Sequence, residues 1–504
     1  MAVKGFYVTT PIYYVNAAPH LGHAYTTIAA DVLARHHRQR GEEVFFLTGT
    51  DEHGEPVADA ARAQGVTPQE LADKNAERFR ALGPRLGATN DFFIRTTDPE
   101  HERVVREVLA KVHEAGYVYE GVYEGRYCPR CADFKAENEI GPDGLCPIHK
   151  IELTVEREEN YFFALSRFQE PLERLYAEQP RFVAPQSRFN EARSFIESGL
   201  RDVPLTRKHL TWGITVPWDE SHVFYVWFDA LLNYYTALRY APAADGREGL
   251  WPPSYQLIGK DILRFHAVYW PALLMAAGIE LPEHIFVHGF LLMDGEKMSK
   301  SLGNVLDPFA VIDRFGTDAL RFYLFREVPF GQDGSVSTAS FELRYEVELA
   351  NELGNLASRT LAMISRYRDG ELPDGPLDEL LAADFDGLAE RVREQFDRAE
   401  LTSALEEIWV RVRRLNRYVE ERAPWTLAKD QAAAGELDLV LRSLAEGIRS
   451  VAVLLWPYLP ASSERLLASL GAEALALDGA GFASGNVHRT APPEVLFPKE
   501  LGPA

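Results

Sequence analysis

Two histidines, three residues apart, lie where a helix is expected to begin. They belong to the run His20-Leu21-Gly22-His23, which follows an apolar strand and a proline-containing loop. Residues three apart share one face of a helical turn, and a helix N-terminus presents unpaired N–H groups that favour phosphate. Glycine lets a nucleotide approach the backbone closely. The run predicts a phosphate site in which both imidazoles stabilise charge in a transition state. The alternative is two surface histidines at a helix start.

A second run, Lys297-Met298-Ser299-Lys300-Ser301, holds two lysines three residues apart with hydroxyls beside them. Such a loop can hold a triphosphate, although by itself it is more often a solvated surface loop. Taken together, the two runs favour a triphosphate-binding loop over a solvated surface loop. One follows the first strand of a predicted sheet and the other follows the last, so both are expected at the carboxyl edge, where open α/β folds bind ligands.

All three cysteines of the chain lie close together, in Cys128-Pro-Arg-Cys131 and Cys146-Pro-Ile-His149. Three cysteines are too few for a disulfide framework, and two ligand pairs of equal spacing indicate metal. Three thiolates and one imidazole form a closed tetrahedral zinc site. A closed site has no open coordination position, so we predict one structural Zn²⁺. The alternative is three unrelated reduced cysteines.

The elements that must position these groups follow an α/β pattern. Periodicity predicts strands at 6–10, 44–48, 91–95, 223–227, 256–259 and 285–289, with a helix at 21–40 and helical stretches between the strands. From about residue 348 the period is helical throughout. We predict an α/β fold: a Rossmann-like parallel sheet split by a zinc-knuckle insertion and followed by an all-α helical bundle. The expected domains are the first half of the sheet domain (1–115), the insertion (116–222), the second half (223–296), the lysine loop with a linker (297–347) and the bundle (348–504).

Composition narrows the class of protein. Lys and Arg number 53 against 75 Asp and Glu, a net charge of −22. This balance argues against non-specific nucleic-acid binding, but a local basic patch can still bind a specific nucleic acid. No stretch approaches the roughly 18 apolar residues of a membrane helix, and no cleavable leader is evident. We expect a cytoplasmic protein with no membrane partner.

The ordered pair of phosphate motifs resembles the two signatures of class I aminoacyl-tRNA synthetases. Leu21 stands where that signature has isoleucine, which exchanges one apolar side chain for another. Over nearly the whole chain, further runs resemble the methionyl-tRNA synthetase family: 11–16, 49–54, 226–230, 258–262 and 265–270. The resemblance implies activation of L-methionine with ATP and Mg²⁺, followed by transfer to tRNA. The implied ATP-binding residues are Thr10, His20, Gly22, His23, Lys297, Ser299 and Lys300, of which His20, His23, Lys297 and Lys300 are the catalytic candidates.

The resemblance also implies a methionine pocket, formed by Pro11, Ile12, Tyr14, Asp51, Trp227, Ala230, Leu231, Tyr234, Ile262, His266 and Trp270. Asp51 can pair with the substrate ammonium, and aromatic rings make favourable contacts with a thioether. The Tyr14 hydroxyl and a His266 nitrogen can point at the sulfur. An apolar pocket alone separates side chains that differ by one methylene by only about 1–3 kcal/mol. The alternative for each single aromatic residue is a place in the core.

For tRNA, the resemblance implies anticodon-binding residues Asn355, Arg359, Pro424 and Trp425, and a tRNA(Met) with a CAU anticodon, both initiator and elongator. An exposed tryptophan can stack on an unpaired base and an arginine can donate two hydrogen bonds to one. The nearby run Arg411, Arg413, Arg414 and Arg417 could hold phosphates, or it is a solvated helix face. The family often carries a further C-terminal tRNA-binding and dimerising domain, whereas this chain ends soon after Val495-Leu496-Phe497-Pro498, so either it lacks that domain or the sequence is truncated. We expect a monomer.

Two other readings stay open. One is a non-catalytic tRNA-binding protein that has kept the fold, although such a protein would not need the paired lysines and histidines. The other is a different class I synthetase. The leucine, isoleucine and valine enzymes carry a much larger editing insertion. In the cysteine enzyme the zinc contacts the substrate and therefore needs an open position.

Overall fold

The computed structural model describes residues 5–129, 133–135, 140, 143–147, 150–208, 210–247, 249–293, 296–297, 308–472, 475–482, 487–492 and 494–499. The chain divides into two compact units. The first unit comprises Met1–Pro19, Val44–Pro84 and Thr89–His288, and the second comprises His20–Glu43, Arg85–Ala88 and Gly289–Ala504. Within the described ranges, no helix has both the length and the apolar character needed to cross a membrane.

The strands, in chain order, are β1 (Phe6–Thr9), β2 (Tyr13–Tyr14), β3 (Val44–Asp51), β4 (Phe92–Arg95), β5 (Val118–Cys128), β6 (Asp133–Lys135), β7 (Thr154–Phe163), β8 (Val183–Ala184), β9 (Val203–Pro204), β10 (Thr206–Arg207), β11 (Thr215–Val216), β12 (Asp219–Phe224), β13 (Tyr255–Gly259), β14 (Ile285–His288), β15 (Leu291–Met293), β16 (Glu296–Lys297) and β17 (Gly334–Val336).

The helices are α1 (Leu21–Gln39), α2 (Glu55–Gln64), α3 (Pro68–Arg85), α4 (Pro99–Glu114), α5 (Gln169–Glu178), α6 (Gln186–Glu197), α7 (Val226–Leu231), α8 (Asn233–Tyr240), α9 (Trp270–Ala277), α10 (Pro308–Phe315), α11 (Thr317–Glu327), α12 (Thr338–Arg344), α13 (Asn355–Arg368), α14 (Glu379–Ala383), α15 (Leu388–Phe396), α16 (Leu401–Arg422), α17 (Pro424–Leu427), α18 (Ala434–Leu455) and α19 (Pro460–Ser469). π-helical segments run over Phe265–Tyr269 and Tyr345–Gly354.

A parallel sheet forms the centre of the first unit and confirms the predicted fold class. Its order is β2-β3-β1-β13-β14-β8, and β4 also pairs with β3. Every pairing in it is parallel. β1, β3, β13 and β14 are buried along their whole lengths. They are mostly apolar, without a regular alternation of apolar and polar residues, because both faces of such a sheet are covered.

The segment inserted between the halves of this sheet forms smaller antiparallel sheets. β5 and β7 pair over ten residue positions, and β6 and β9 extend them to the order β6-β5-β7-β9. A second sheet has the order β10-β12-β11. One short piece of the segment, β8, pairs in parallel with β14 and so joins the main sheet.

The strand predicted at 223–227 is wrong. β12 ends at Phe224 and pairs antiparallel with β10 and β11, outside the parallel sheet, and α7 begins at Val226. An apolar run of this length fits a buried strand and a buried helix equally well, so periodicity could not separate them. The other predicted strands agree with the structure to within three residues at each end.

Helices dominate the second unit, which includes α1. Arg321 on α11 is fully buried and forms an ion pair with Asp31 on α1 at 2.7 Å. It also donates to the carbonyls of Leu86 and Pro457 at 3.1 and 2.6 Å. A buried guanidinium is tolerated only when it is paired and hydrogen-bonded in this way. The helix that begins with the histidine run is therefore anchored among the other helices of its unit.

Candidate functional site

The aromatic residues predicted for the amino-acid pocket lie in or against one buried cluster of the first unit. Trp227, Leu231, Tyr234 and Trp270 belong to one buried cluster, and Ile12, Tyr14 and Ile262 pack against it. The Trp227 ring is stacked on Phe265, with centroids 3.7 Å apart and planes 7° apart. Tyr14 meets Trp227 edge-on at 6.4 Å. Ala230 is buried beside Leu231 on α7, and Pro11 is half-buried.

The hydrogen bonds of His266 determine which of its nitrogens carries the proton. Nδ1 lies 3.1 Å from the Ile262 carbonyl, which can only accept, so Nδ1 is protonated. In the neutral ring Nε2 then accepts from the Tyr234 hydroxyl at 2.7 Å. Burial lowers the pKa of His266 to about 4, which keeps the ring neutral. Both ring nitrogens thus have partners inside the protein, and neither has to serve the sulfur.

Three buried polar atoms of the pocket residues have no hydrogen bond of regular geometry to any described residue. They are the Tyr14 hydroxyl, Asp51 Oδ1 and the Trp227 indole nitrogen. Burial, and after it the neighbouring carboxyls of Asp229 and Glu52, raise the pKa of Asp51 well above its ordinary value, and they outweigh the His53 N–H and the Tyr14 hydroxyl, which lower it. Unsatisfied buried polar atoms are costly, and a ligand with complementary groups relieves that cost.

Sequence reasoning missed a charged network beside this pocket. The two carboxylate oxygens of Asp229 each accept from one imidazole: His53 Nδ1 at 2.7 Å and His101 Nε2 at 2.8 Å. On the other side, Arg95 donates two hydrogen bonds of 2.8 Å to Glu52. The signal in the sequence was the presence of Glu52, His53 and Asp229 inside the runs 49–54 and 226–230.

The histidine run forms a reciprocal cap at the start of α1. His20 Nδ1 accepts from the Gly22 N–H, and His23 Nδ1 accepts from the His20 N–H, both at 3.1 Å. The two rings are stacked with centroids 3.8 Å apart. Because both Nδ1 atoms accept, each neutral ring carries its proton on Nε2, the atom that can donate to a phosphate oxygen. A Cβ on Gly22 would lie 2.9 Å from the His20 ring, so glycine makes room for the cap itself.

The remaining nucleotide candidates divide between the units. Thr10 lies in the first unit, where its buried hydroxyl contacts Thr48 Oγ1 at 2.7 Å and the Pro11 carbonyl at 2.8 Å. Lys297 belongs to β16 in the second unit, and its backbone pairs with Leu292. Ser299 and Lys300 lie outside the described residues.

Two of the four predicted zinc ligands are described. Cys128 ends β5 and Cys146 lies in a tight turn, and both side chains are fully buried. The Cys146 N–H donates to the Ile151 carbonyl, and its own carbonyl accepts from the Lys150 N–H, both at 2.9 Å. Cys131 and His149 lie outside the described residues, and among those that are described no group of three or more His, Cys, Asp or Glu side chains is arranged to hold a metal ion. Buried thiols at a strand end and in a tight turn fit a zinc knuckle.

The predicted anticodon residues are brought together on the helical unit. The Arg359 guanidinium lies over the Trp425 ring, 5.7 Å from its centroid, and donates to Glu420 at 2.9 Å. Asn355 is exposed one turn before Arg359 on α13. Pro424 is the first residue of α17. It follows Ala423, whose left-handed backbone (φ 40°) turns the chain sharply between α16 and α17.

The basic run beside this surface is largely neutralised. Arg411 pairs with Glu407 at 3.4 Å, and Arg413 pairs with Glu406. Arg414 lies 2.7 Å from Asp384 and 3.2 Å from Glu421. Arg417 is exposed. Most of the run is therefore an ion-paired helix face, as the alternative interpretation proposed.

A parallel sheet interrupted by an insertion, a capped His-x-Gly-His helix start and a helical bundle together define a class I aminoacyl-tRNA synthetase. The family described as "tRNA synthetases class I (M)" matches residues 6–154 and 143–361, and "Anticodon binding domain of methionyl tRNA ligase" matches residues 370–499. A methionine–tRNA ligase of Streptomyces coelicolor is 47% identical over 93% of this chain and 90% of its own length. One of Caldanaerobacter subterraneus is 45% identical over 93% of this chain and 74% of its own length.

Solved structures agree with these relatives. Mycobacterium tuberculosis methionyl-tRNA synthetase in complex with methionyl-adenylate superposes with a TM-score of 0.94 at 43% identity, covering 98% of this chain and 100% of that one. Its apo form gives 0.87 at 39% identity, covering 100% and 99%. The chain belongs to the methionine–tRNA ligase family, and it is an enzyme of the ligase class.

Proposed function

We propose that this ligase binds L-methionine in the aromatic pocket of the first unit, with the α-ammonium on Asp51. The observation that carries the proposal is the buried Asp51 carboxyl, which has an oxygen without a regular hydrogen bond to any described residue and a raised pKa. A bound ammonium would supply both the donor and the opposite charge. An opposite charge favours the ionised carboxylate and offsets the effect of burial.

At the side-chain end, Tyr14 supplies the polar contact to sulfur. Its buried hydroxyl interacts with Asp51 but has no hydrogen bond of regular geometry to any described residue, whereas His266 is satisfied by Tyr234 and Ile262. His266 therefore acts by orienting the Tyr234 ring, which lies beside Trp270 with centroids 5.9 Å apart. The Trp227 and Trp270 rings pack against the flexible thioether.

The chemical step joins the methionine carboxylate to the α-phosphorus of ATP and releases pyrophosphate. The carboxylate is already ionised, so no general base is needed, and catalysis consists of positioning and charge stabilisation. His20 and His23 donate from Nε2, and Lys297 and Lys300 supply positive charge. Thr10, Gly22 and Ser299 complete the proposed ATP-binding set, and Mg²⁺ accompanies ATP. The tRNA 3′ hydroxyl then attacks the adenylate.

The proposed tRNA is tRNA(Met) with a CAU anticodon, as initiator and as elongator. Support comes from the Arg359 guanidinium that lies over the Trp425 ring, with Asn355 one turn away on α13 and Pro424 starting the short helix. Aromatic rings and guanidinium planes are the surfaces on which unpaired RNA bases stack.

Several further properties are part of the proposal. One structural Zn²⁺ would be held by Cys128, Cys131, Cys146 and His149, where it would stabilise the knuckle without touching the substrate. The enzyme would be a cytoplasmic monomer. Its domains would run over 1–115, 116–222, 223–296, 297–347 and 348–504.

The test of the pocket compares binding of methionine with that of norleucine, which replaces the sulfur by a methylene. Wild-type enzyme should prefer methionine, and Tyr14→Phe should lose most of that preference while keeping norleucine affinity. The control is Tyr235→Phe, on the same helix as Tyr234, which should keep the preference. An unchanged preference in Tyr14→Phe would assign sulfur recognition to another group.

A further inference from the structure

The end of β3 with the loop after it, and the helix α7, both carry residues of the proposed pocket. Asp51 ends β3, and His53 follows it by two residues, while Trp227 and Asp229 are two residues apart on α7. The His53–Asp229 contact of 2.7 Å joins the two elements directly. Their backbones also approach closely, because a Cβ on Gly54 would lie 3.2 Å from the Val226 side chain.

A third element holds the same carboxylate. His101 on α4 donates from Nε2 to Asp229 at 2.8 Å, and its Nδ1 lies 2.7 Å from the Thr236 hydroxyl on α8. Asp229, His101 and Thr236 are completely buried, and His53 nearly so. A buried charge network of this kind is stable only in one geometry, so it fixes the three helices and the loop relative to one another.

Charge within the network is partly balanced. Burial raises the pKa of Asp229, but His53 and His101 outweigh it and hold that pKa below the ordinary value. Burial lowers the pKa of His53, but Asp229 outweighs it and raises that pKa. These opposite shifts favour an ion pair between His53 and Asp229.

The ionisable groups around Asp51 come from several elements. They are Tyr14 on β2, Glu52 next along the chain, and Asp229 on α7. Arg95 on β4 pairs with Glu52 through two hydrogen bonds, so the negative charge of Glu52 is compensated. The net field that Asp229 exerts on Asp51 therefore depends on whether its own histidine partner is charged.

We propose that His53 and Asp229 are positioning residues of the amino-acid site. They hold the Asp51 loop against the Trp227 helix, and their charges set the pH range over which Asp51 takes up the substrate ammonium. Neither residue needs to touch the substrate. The inference rests on the proposed function, in which Asp51 is the ammonium partner.

Two substitutions should move the pH dependence in opposite directions. Asp229→Asn removes a negative charge beside Asp51, so Asp51 should ionise at lower pH and methionine KM should begin to rise only at more acidic pH. His53→Gln keeps a hydrogen-bond donor but leaves Asp229 uncompensated, so KM should begin to rise at higher pH. On that acid limb, a shift of one pH unit changes KM about tenfold.

The experiment measures methionine KM between pH 5.5 and 8.5 by pyrophosphate exchange, with ATP saturating and the folded fraction counted by an adenylate burst. The double variant His53→Gln/Asp229→Asn should keep the acid-shifted midpoint of Asp229→Asn, because without Asp229 the buried His53 is uncharged and its replacement removes no further charge. Thr236→Val is the control: it removes a hydroxyl of the network but no charge, and should leave the midpoint unchanged.

If the KM midpoints of His53→Gln and Asp229→Asn shift in the same direction, or if KM rises equally at every pH, the network has only a structural role and the inference is wrong. Asp51→Asn separates this failure from failure of the proposed function. If Asp51→Asn binds methionine normally, the ammonium assignment itself is wrong. If it loses binding while His53→Gln and Asp229→Asn leave the midpoint unchanged, only the inference fails.

Discussion

Replacing Asp51 by Asn should stabilise the free enzyme and at the same time disable it. Burial and neighbouring carboxyls raise the pKa of Asp51, so the folded protein holds this proton more tightly than the unfolded chain does. The stability that such a group contributes falls as pH rises from the ordinary pKa of aspartate to the raised pKa in the folded protein. Above the raised pKa the stability stays at the lower level. At neutral pH the ionised Asp51 therefore lowers the free energy of unfolding, and asparagine cannot ionise.

The substitution of Asp51 should raise the stability of the free enzyme and weaken its binding of methionine. Each pH unit by which folding raises the pKa of Asp51 lowers the free energy of unfolding by about 1.4 kcal/mol at neutral pH. Removing that effect should raise Tm by roughly 3–6 °C for a folded domain of this size. For function, losing a hydrogen bond to a charged group costs about 1.5–3 kcal/mol, which is a roughly 10- to 150-fold rise in methionine KM.

The assays are thermal unfolding without ligand and methionine KM by pyrophosphate exchange. The gain in stability should disappear when the pH falls below about 4, because the wild-type carboxyl is then protonated too. Asp378→Asn is the matched control. Burial raises the pKa of Asp378, but hydrogen bonds from Leu381 N–H and the Tyr418 hydroxyl outweigh it and lower that pKa. Its substitution should reduce stability at neutral pH. An Asp51→Asn enzyme that is less stable than wild type, or one with unchanged KM, would refute the reasoning.

Other changes have separable effects. Tyr234→Phe leaves His266 Nε2 buried without its donor, so methionine KM should rise roughly 5- to 150-fold with ATP KM unchanged; an unchanged methionine KM would contradict the assigned tautomer. Trp425→Ala should remove about 1–3 kcal/mol of base stacking, so tRNA charging should fall while tRNA-independent pyrophosphate exchange stays intact. An equal fall in both activities would show that tRNA binding and amino-acid activation are not separate. Lys300→Ala should slow adenylate formation far more than it weakens methionine binding, whereas equal losses would remove its catalytic role. Cys146→Ser should lower the bound zinc from one ion per chain and reduce thermal stability, and unchanged zinc content by elemental analysis would place the metal elsewhere.

The sequence pattern predicted the parallel sheet because β1, β3, β13 and β14 are buried and mostly apolar along their lengths. The same rule failed at 223–227, where tertiary packing divides one apolar run between β12 and α7. Nothing in local sequence distinguishes those outcomes, since both bury the same side chains.

The resemblance named aromatic side chains that the fold brings into one buried cluster, but it did not predict how the polar groups there are hydrogen-bonded. His266 was expected to point at the sulfur, and its partners Tyr234 and Ile262 are visible only in three dimensions. The Asp229 network was missed for a similar reason: His53 and His101 come from distant parts of the chain, and only the fold brings them to one carboxylate.

The most direct test of the account is amino-acid-dependent exchange of labelled pyrophosphate into ATP, run with each of the twenty amino acids in the absence of tRNA. The account predicts rapid exchange with methionine alone. Exchange with a different amino acid would contradict the pocket assignment while keeping the class I chemistry. No exchange with any amino acid, from folded and zinc-loaded protein and again with tRNA present, would contradict the enzymatic account and favour a tRNA-binding protein.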